Sequence, residues 1–325
     1  NMDFGVDLDL FNGLIQMDFS YYHKKTVDLV NSVTLPSSTG FTSYKDNIGE
    51  VVNKGFEVQL RSTLLNTKEW YVAVFANLAH NENEITKISD SMKEYNRRVM
   101  DKYANYDTGY NKGDAAYADT YLQYVEGGSL TSIFAVKSLG INPANGREVF
   151  VRPDGTITYD WNAADQVVVG NQEPKIQGTF GFNLRWKQFS LFSTFLYECG
   201  GQRYNSTLVD KVENARIADG NVDRRVLTGR WQKPGDLAPY GRFTKGIVSV
   251  TRPTSRFVQD YNMLSFNSLT LGYDFDMAWM KKAHIGMLRA ELSGNDLFHL
   301  STVRIERGLD YPYARSFSAS LKVSF

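Results

Sequence analysis

The sequence predicts an all-β fold, a transmembrane antiparallel barrel with long loops at one rim. Three observations carry this expectation. Segments of roughly nine to eleven residues, the length a tilted strand needs to cross a bilayer, alternate apolar and polar without a break. Strand charges sort onto the parity opposite the large apolar residues. Long connections rich in Tyr, Asp, Asn and Gly alternate with tight turns. The closing segment, residues 315–325, shows the pattern best. Phe317, Ala319, Leu321, Val323 and Phe325 share one face, and Ser316, Ser318, Ser320, Lys322 and Ser324 the other. A soluble sandwich with one wet face would alternate equally well; strand length, loop length and aromatic content favour the barrel.

Bulk composition narrows the classes. Among 325 residues, 36 Lys and Arg balance 36 Asp and Glu, so nothing steers the chain to nucleic acid or to an anionic membrane surface. No apolar run approaches the roughly 18 residues of a membrane helix. Cys199 is alone, which leaves no internal disulfide framework and no Cys-based zinc site. The chain opens in strand rhythm, without a leader pattern. A sheet starting at its first residue would leave an unpaired lipid-facing edge, so the expectation is the C-terminal part of a longer polypeptide.

The elements follow in order. Met2, Phe4, Val6, Leu8 and Leu10 alternate with Asp3, Gly5, Asp7 and Asp9. Asn12-Gly13 is a hairpin turn, and Ile15, Met17, Phe19 and Tyr21 form the return strand. Residues 35–40 are loop chemistry, because Pro and Gly break a ladder. A second hairpin pairs Phe56, Val58 and Leu60 with Trp70, Val72, Val74, Ala76 and Leu78 across a turn near Asn66-Thr67. From about Glu82 alternation dissolves into a long structureless excursion, unsuited to a compact soluble domain but suited to an external barrel loop. Rhythm returns at Phe180, Phe182, Leu184 and Trp186, turns at Lys187-Gln188, and continues through Phe189, Leu191, Phe195 and Tyr197. Residues 200–256 form another loop, with room for a short helix and with Pro234, Pro239 and Pro253 as breakers. Leu269, Leu271, Tyr273 and Phe275 make the next strand, and a parity slip near Leu264 and Phe266 predicts a bulge. A short connector holding Trp279, Lys281 and Lys282 leads to Leu288, Ala290 and Leu292. A loop through Tyr311-Pro312 then delivers the closing strand.

The count is about nine strands, an odd number that would put the two chain ends at opposite rims. Asp7, Asp9, Glu57, Arg61, Arg185, Asp274, Arg289, Glu291 and Lys322 all take the inner parity. An Arg or Lys on the lipid face near the midplane costs about 2–4 kcal/mol, so this sorting is what a lipid-facing wall requires.

These residues also carry a family resemblance. The hairpin into Tyr21-Tyr22-His23-Lys24-Lys25-Thr26 is similar to the SusC/RagA family of TonB-linked outer-membrane transporters of Bacteroidetes, as is the run at residues 47–57. Later blocks resemble the same family in order: Gly127-Gly128-Ser129-Leu130, Gly140-Ile141-Asn142-Pro143, Gly146, Asp154-Gly155, Arg230-Trp231 with Pro234-Gly235-Asp236, Ser255-Arg256-Phe257-Val258, Leu269-Thr270-Leu271-Gly272-Tyr273, and Asn295-Asp296-Leu297-Phe298. The resemblance implies that residues 1–325 are the C-terminal nine or so strands of a barrel of about 22 strands around a plug. It implies a SusD-like surface lipoprotein as lid and energy from the TonB complex, with plug and TonB box outside this chain. The terminal Phe325 matches the aromatic end that such proteins present to the barrel-assembly machinery. The implied location is the outer membrane, in contact with its lipid.

His23, His80, His284 and His299 have no ligand-type spacing, and no phosphate loop, nucleophile elbow or Ser/His/Asp block is present, so no metal, cofactor or enzyme activity is expected. The Tyr-dense excursion supplies the candidate substrate-binding residues: Tyr103, Tyr106, Tyr110, Tyr117 and Tyr121. Their rings can stack on sugars or peptide side chains and their hydroxyls can hydrogen-bond, although loop packing or a lid contact would use them equally. The leading expectation is active import of an oligosaccharide or oligopeptide. A passive pore or surface-binding barrel without energy coupling is the alternative.

Overall fold

In the computed structural model the strands are β1 (Met2–Leu10), β2 (Ile15–Thr26), β3 (Val30–Thr34), β4 (Ser43–Asn47), β5 (Gly49–Asn66), β6 (Trp70–Ile88), β7 (Ser132–Ile141), β8 (Glu148–Val151), β9 (Ile157–Thr158), β10 (Gln166–Asn171), β11 (Ile176–Trp186), β12 (Phe189–Tyr204), β13 (Val258–Phe275), β14 (Met287–Ser301) and β15 (Ser316–Ser324). The structure describes residues 1–34, 43–47, 49–107, 113–215, 217, 221–243, 249–304 and 314–325. The predicted loops at residues 35–40 and Tyr311-Pro312 lie outside them.

Nine strands form one antiparallel wall in the order β1-β2-β5-β6-β11-β12-β13-β14-β15, as the alternation predicts. Register keeps apolar rows continuous across it. Leu184 pairs with Val72 and Leu191, Leu191 with Leu271, Leu271 with Leu292, and Leu292 with Ala319. A slip of one residue would turn every one of these side chains to the other face. The apolar face is bare: Phe4, Leu60, Phe180, Leu292 and Leu321 are all exposed. On it Phe180, Phe195 and Phe266 stack in sequence, with ring centroids 5.0 and 4.4 Å apart, and Phe298 packs tilted against Phe266 at 5.5 Å. So large an uncovered apolar surface belongs in lipid.

The opposite face is polar over much of its area, with apolar residues in two places: beneath the long connections, and midway along the wall at Phe75 and Phe192. Phe75 and Phe192 lie on it and stack at 5.9 Å. Elsewhere it carries charge networks; Arg289 meets Asp274 at 3.1 Å and Glu291 at 3.3 Å, and Lys322 reaches Glu291 at 3.7 Å.

The two rims differ as expected. At one, connections are tight: Asn66 pairs with Tyr71, and Trp186 with Phe189. Trp70, Trp186, Phe189 and Tyr273 form an aromatic girdle there, at 5.6, 6.1 and 4.6 Å. The turn at Asn12-Gly13 spans four residues, between the paired Leu10 and Ile15, with φ of 55° at Phe11 and 56° at Asn12. The connector after β13 contains helix Ala278–Lys282. The predicted bulge is present, a register shift between Phe266 and Ser268.

At the other rim the excursion after Glu82 departs from the structureless reading. β6 runs on to Ile88, and helix α1 (Asp90–Ala104) follows. A second, four-stranded sheet is ordered β10-β7-β8-β9. Helix α1 begins where Ser89 Oγ accepts the amide N–H of Met92, and Glu94 holds Arg97 at 2.7 Å and Arg98 at 3.2 Å. It buries only Met92, Val99 and Tyr103, an apolar stripe too narrow to show as a helical period. β12 runs on to Tyr204, so the loop predicted from residue 200 begins after it; the loop carries short helices at Ser206–Leu208 and Arg225–Thr228, with a π-helical turn, Val209–Glu213, directly after the first.

Candidate functional site

The long connections fold back as a layer against the polar face of the wall. Asn83 and Ile85 of β6 lie on that face. Ile85 exchanges backbone hydrogen bonds with Gly127 (2.9 Å) and Gly128 (2.8 Å). The Asn83 side-chain oxygen accepts from Leu130 N–H at 2.9 Å and from the Ser129 hydroxyl at 3.3 Å. Under the layer the inner residues Val51, Ile85, Tyr261 and Met263 are buried. Nearer the tight-turn rim the inner residues Arg61 and Arg185 are exposed. The layer therefore covers the inner face toward one rim of the wall and leaves it open toward the other.

The candidate tyrosines build this layer. Tyr103, Tyr106 and Tyr117 are buried in one cluster with Val99, Val136, Phe150 and Trp161, with Tyr121 packed at its edge. Tyr110 lies outside the described residues. Tyr103 meets Trp161 at 5.3 Å and Tyr121 at 5.7 Å, and Tyr106 meets Tyr117 at 5.4 Å. Each hydroxyl placed by a hydrogen bond donates to a loop carbonyl: Tyr103 to Asp119, Tyr106 to Val250 at 3.1 Å, Tyr121 to Ala116 at 2.9 Å, and Tyr204 to Ala118 at 3.0 Å. Loops lack a ladder to satisfy their carbonyls, and a tyrosine supplies apolar bulk and a donor together. Burial pushes the phenol of Tyr103 well up, so it stays a protonated donor. Burial likewise raises the carboxyls of Asp119 and Asp210.

A second cluster joins blocks distant in sequence. Arg256 bridges Glu148 at 2.9 Å and Glu213 at 3.0 Å, all with side chains nine-tenths buried or more. Burial works against the guanidinium, but the two carboxylates hold it above its ordinary pKa. Arg230 donates to the carbonyls of Val212 (2.6 Å), Glu213 (2.8 Å) and Gly241 (3.0 Å). Trp231 donates its indole N–H to Pro143 carbonyl at 2.8 Å, and Gly235 N–H donates to the same carbonyl at 2.9 Å. In the sequence these blocks stand far apart, and only the fold brings them to one place.

Beside both clusters opens a cavity of about 520 Å³, lined by Tyr106, Glu148, Tyr159, Asp160, Trp161 and Arg252 among others. The Arg252 guanidinium lies 4.4 Å from the ring centroids of both Tyr106 and Trp161. Among the described residues no group of three His, Cys, Asp or Glu could hold a metal ion. His284 sits in the tight-rim connector, with φ 55°, and Cys199 is exposed.

A bare apolar face, an inner charged face, an aromatic girdle at the tight rim and a folded layer at the other define a wall segment of an outer-membrane β-barrel. No family model matches the chain. It is 26% identical to TonB-dependent receptor P3 of Formosa agariphila over 348 aligned residues, 100% of this chain and 34% of that protein. It is 23% identical to TonB-dependent receptor SusC of Bacteroides thetaiotaomicron, over 99% of this chain and 31% of that protein. Among solved structures it superposes on the RagAB peptide transporter with a TM-score of 0.75 at 21% identity, covering 99% of this chain and 35% of that one. The chain spans about a third of the length of these relatives. Motif blocks, wall and relatives agree that the chain is similar to the C-terminal barrel wall of SusC/RagA-like TonB-dependent receptors.

Proposed function

We propose that residues 1–325 are the C-terminal part of a barrel that imports an oligomeric nutrient, a glycan or a peptide, by TonB-dependent transport. Plug and TonB box belong to the remainder of the polypeptide. A SusD-like lipoprotein covers the rim beside the folded layer. The observation that carries this reading is the layer itself: it is packed, hydrogen-bonded and laid against the inner face, so cargo meets a shaped mouth. The buried tyrosines contribute by holding that shape, and Tyr106 also lines the cavity. Transport is then a gated conformational step, and the barrel performs no covalent chemistry.

The test is a mild-detergent pull-down of the full-length polypeptide from outer membranes, with mass spectrometry of what co-purifies. A stoichiometric lipoprotein supports the lidded importer, and a retained oligomer names its cargo. A lone barrel with steady open-channel conductance would support an uncoupled pore instead.

A further inference from the structure

We propose that Asn12-Gly13, in the turn between β1 and β2, is a site of spontaneous deamidation, and that the fold holds the second Asn-Gly pair, Asn145-Gly146, unreactive. The sequence contains this dipeptide twice. The two copies differ in what surrounds them.

The reaction is an intramolecular acyl transfer. The glycine backbone nitrogen attacks Cγ of the asparagine, the N–Cγ bond forms, the Cγ–Nδ2 bond breaks, and the proton lost by the nitrogen is balanced by the one that leaves with the amide as ammonia. Water then opens the cyclic imide. Opening at Cγ gives aspartate; opening at the main-chain carbonyl gives isoaspartate, whose backbone is longer by one methylene. No oxidant or cofactor takes part. The step needs a glycine N–H free of acceptors, an asparagine side chain free to rotate, and a backbone that can swing, which a residue without Cβ permits.

The β1–β2 turn meets these needs. Asn12 is exposed. Among the described residues neither its side chain nor the Gly13 N–H has a hydrogen-bond partner. The bond inside the turn, from Leu14 N–H to Phe11 carbonyl, is long at 3.4 Å, so local opening breaks little. Phe11, Asn12 and Gly13 have φ of 55°, 56° and 83°, and a bulky phenylalanine is strained in that region. A backbone lengthened by one methylene can close the same hairpin with less of this strain.

At Asn145 the same atoms are tied. Its Oδ1 accepts from Arg147 N–H at 3.0 Å and its Nδ2 donates to the Tyr159 hydroxyl at 3.2 Å. The Gly146 N–H, the nitrogen that would attack, donates to Asn142 carbonyl at 2.8 Å, and Gly146 is buried beneath the Trp231 ring. Asp154-Gly155, which could form the same imide, is held likewise: Asp154 Oδ1 accepts from Thr156 N–H at 2.9 Å, and Gly155 N–H donates to Arg152 carbonyl at 2.9 Å. Reaction at either place requires these bonds to open first, and its rate falls with the open fraction.

The product changes the hairpin. It places a new carboxylate close to Asp9, whose Oδ1 stands 3.9 Å from where a Gly13 Cβ would lie. Like charges gathered at the tip oppose the pairing of β1 with β2. The wall therefore ages first at this hairpin of the tight rim.

The test follows the full-length polypeptide in detergent, incubated in mildly alkaline heavy-oxygen water, sampled over time and digested. Fragmentation by electron transfer separates aspartyl from isoaspartyl peptides. Both products should appear at residue 12 with one heavy oxygen each, more than about tenfold faster than at residue 145, the scale set by the hydrogen bonds that must open there. In peptides digested before incubation the two sites should react at comparable rates. No product at residue 12, equal rates at both sites in the folded protein, or a rate difference that survives digestion would each overturn the proposal.

Discussion

Trp231 lies on Gly146, two residues from blocks far apart in the chain, so closely that a Cβ at position 146 would stand 2.5 Å from the indole. Gly146 also has φ +69°, in the left-handed region where a side chain is strained. Gly146→Ala should therefore lose about 1–3 kcal/mol of local stability. Hydrogen exchange of residues 140–150 should rise sharply while the strands of the wall keep their protection. Unchanged exchange would mean that the Trp231 contact does not hold the layer.

Arg256 is the larger lever. Removing one member of a buried ion cluster leaves uncompensated charge and costs about 3–5 kcal/mol. Arg256→Met should thus open the layer around β8 and residues 209–213 to protease. The triple change Arg256→Met, Glu148→Gln, Glu213→Gln should recover most of the resistance, because no charge is then stranded. A triple variant as labile as the single one would show that the hydrogen-bond geometry, and not charge pairing, matters.

The tyrosines allow a test of scaffold against contact. Tyr103→Phe keeps the packing against Trp161 and removes only the donor to Asp119 carbonyl. The cost should be about 1 kcal/mol or somewhat more. Cargo affinity should not change, since Tyr103 is 2% exposed and lies outside the cavity lining. A large affinity loss at unchanged stability would return Tyr103 to the ligand.

The wall was legible in sequence because each strand residue reports its own face. Even the register shift between Phe266 and Ser268 shows in the sequence as a parity slip near Leu264 and Phe266. The layer was not legible, for reasons that differ by element. Helix α1 places Lys93, Glu94, Arg97, Arg98, Asp101 and Lys102 around a three-residue apolar stripe, so no period stands out. Amphipathic rings suit both a cargo and a loop core, and carbonyl partners distant in sequence, such as Val250 for Tyr106, are tertiary facts that the spacing of the tyrosines does not record. Phe75 and Phe192 broke the inner-face rule because they pair with each other across β11, a tertiary fact that no single strand records.

Asp119 and Asp210 make the layer pH-sensitive. Burial raises both carboxyls above the ordinary 3.8, and the charge of Asp119 raises Asp210 further. At these two sites the folded layer then binds protons more tightly than the unfolded chain, so their contribution to stability falls as pH rises. The loss begins near 3.8, runs through the raised folded pKa values and is complete above them. Glu94 and Asp223 of the same layer are held down to about 2 by their arginine partners and act in the opposite sense, so the contribution of Asp210 is read as the difference in thermal unfolding between parent and Asp210→Asn, followed at Trp161 and Trp231, which should grow from pH 4 to pH 7. Asp210→Asn should raise stability at pH 7. A variant less stable than the parent at pH 7 would show that the charged carboxylate is favourably held.

The last prediction concerns the wall. Leu321 and Ser320 are neighbours on β15 with opposite fates: Leu321 pairs with Ala290 on the apolar face, 64% exposed, and Ser320 pairs with Glu291 on the polar one. An arginine at 321 faces lipid and costs about 2–4 kcal/mol near the midplane. At 320 it meets water and the Glu291 carboxylate, which already holds Arg289 and Lys322. In the full-length polypeptide Leu321→Arg should therefore reduce the heat-modifiable folded band and the amount recovered in outer membranes, with Ser320→Arg close to the parent. Equal loss at both positions would overturn the lipid-facing assignment, because the two substitutions add the same side chain to the same strand and differ only in the face it takes.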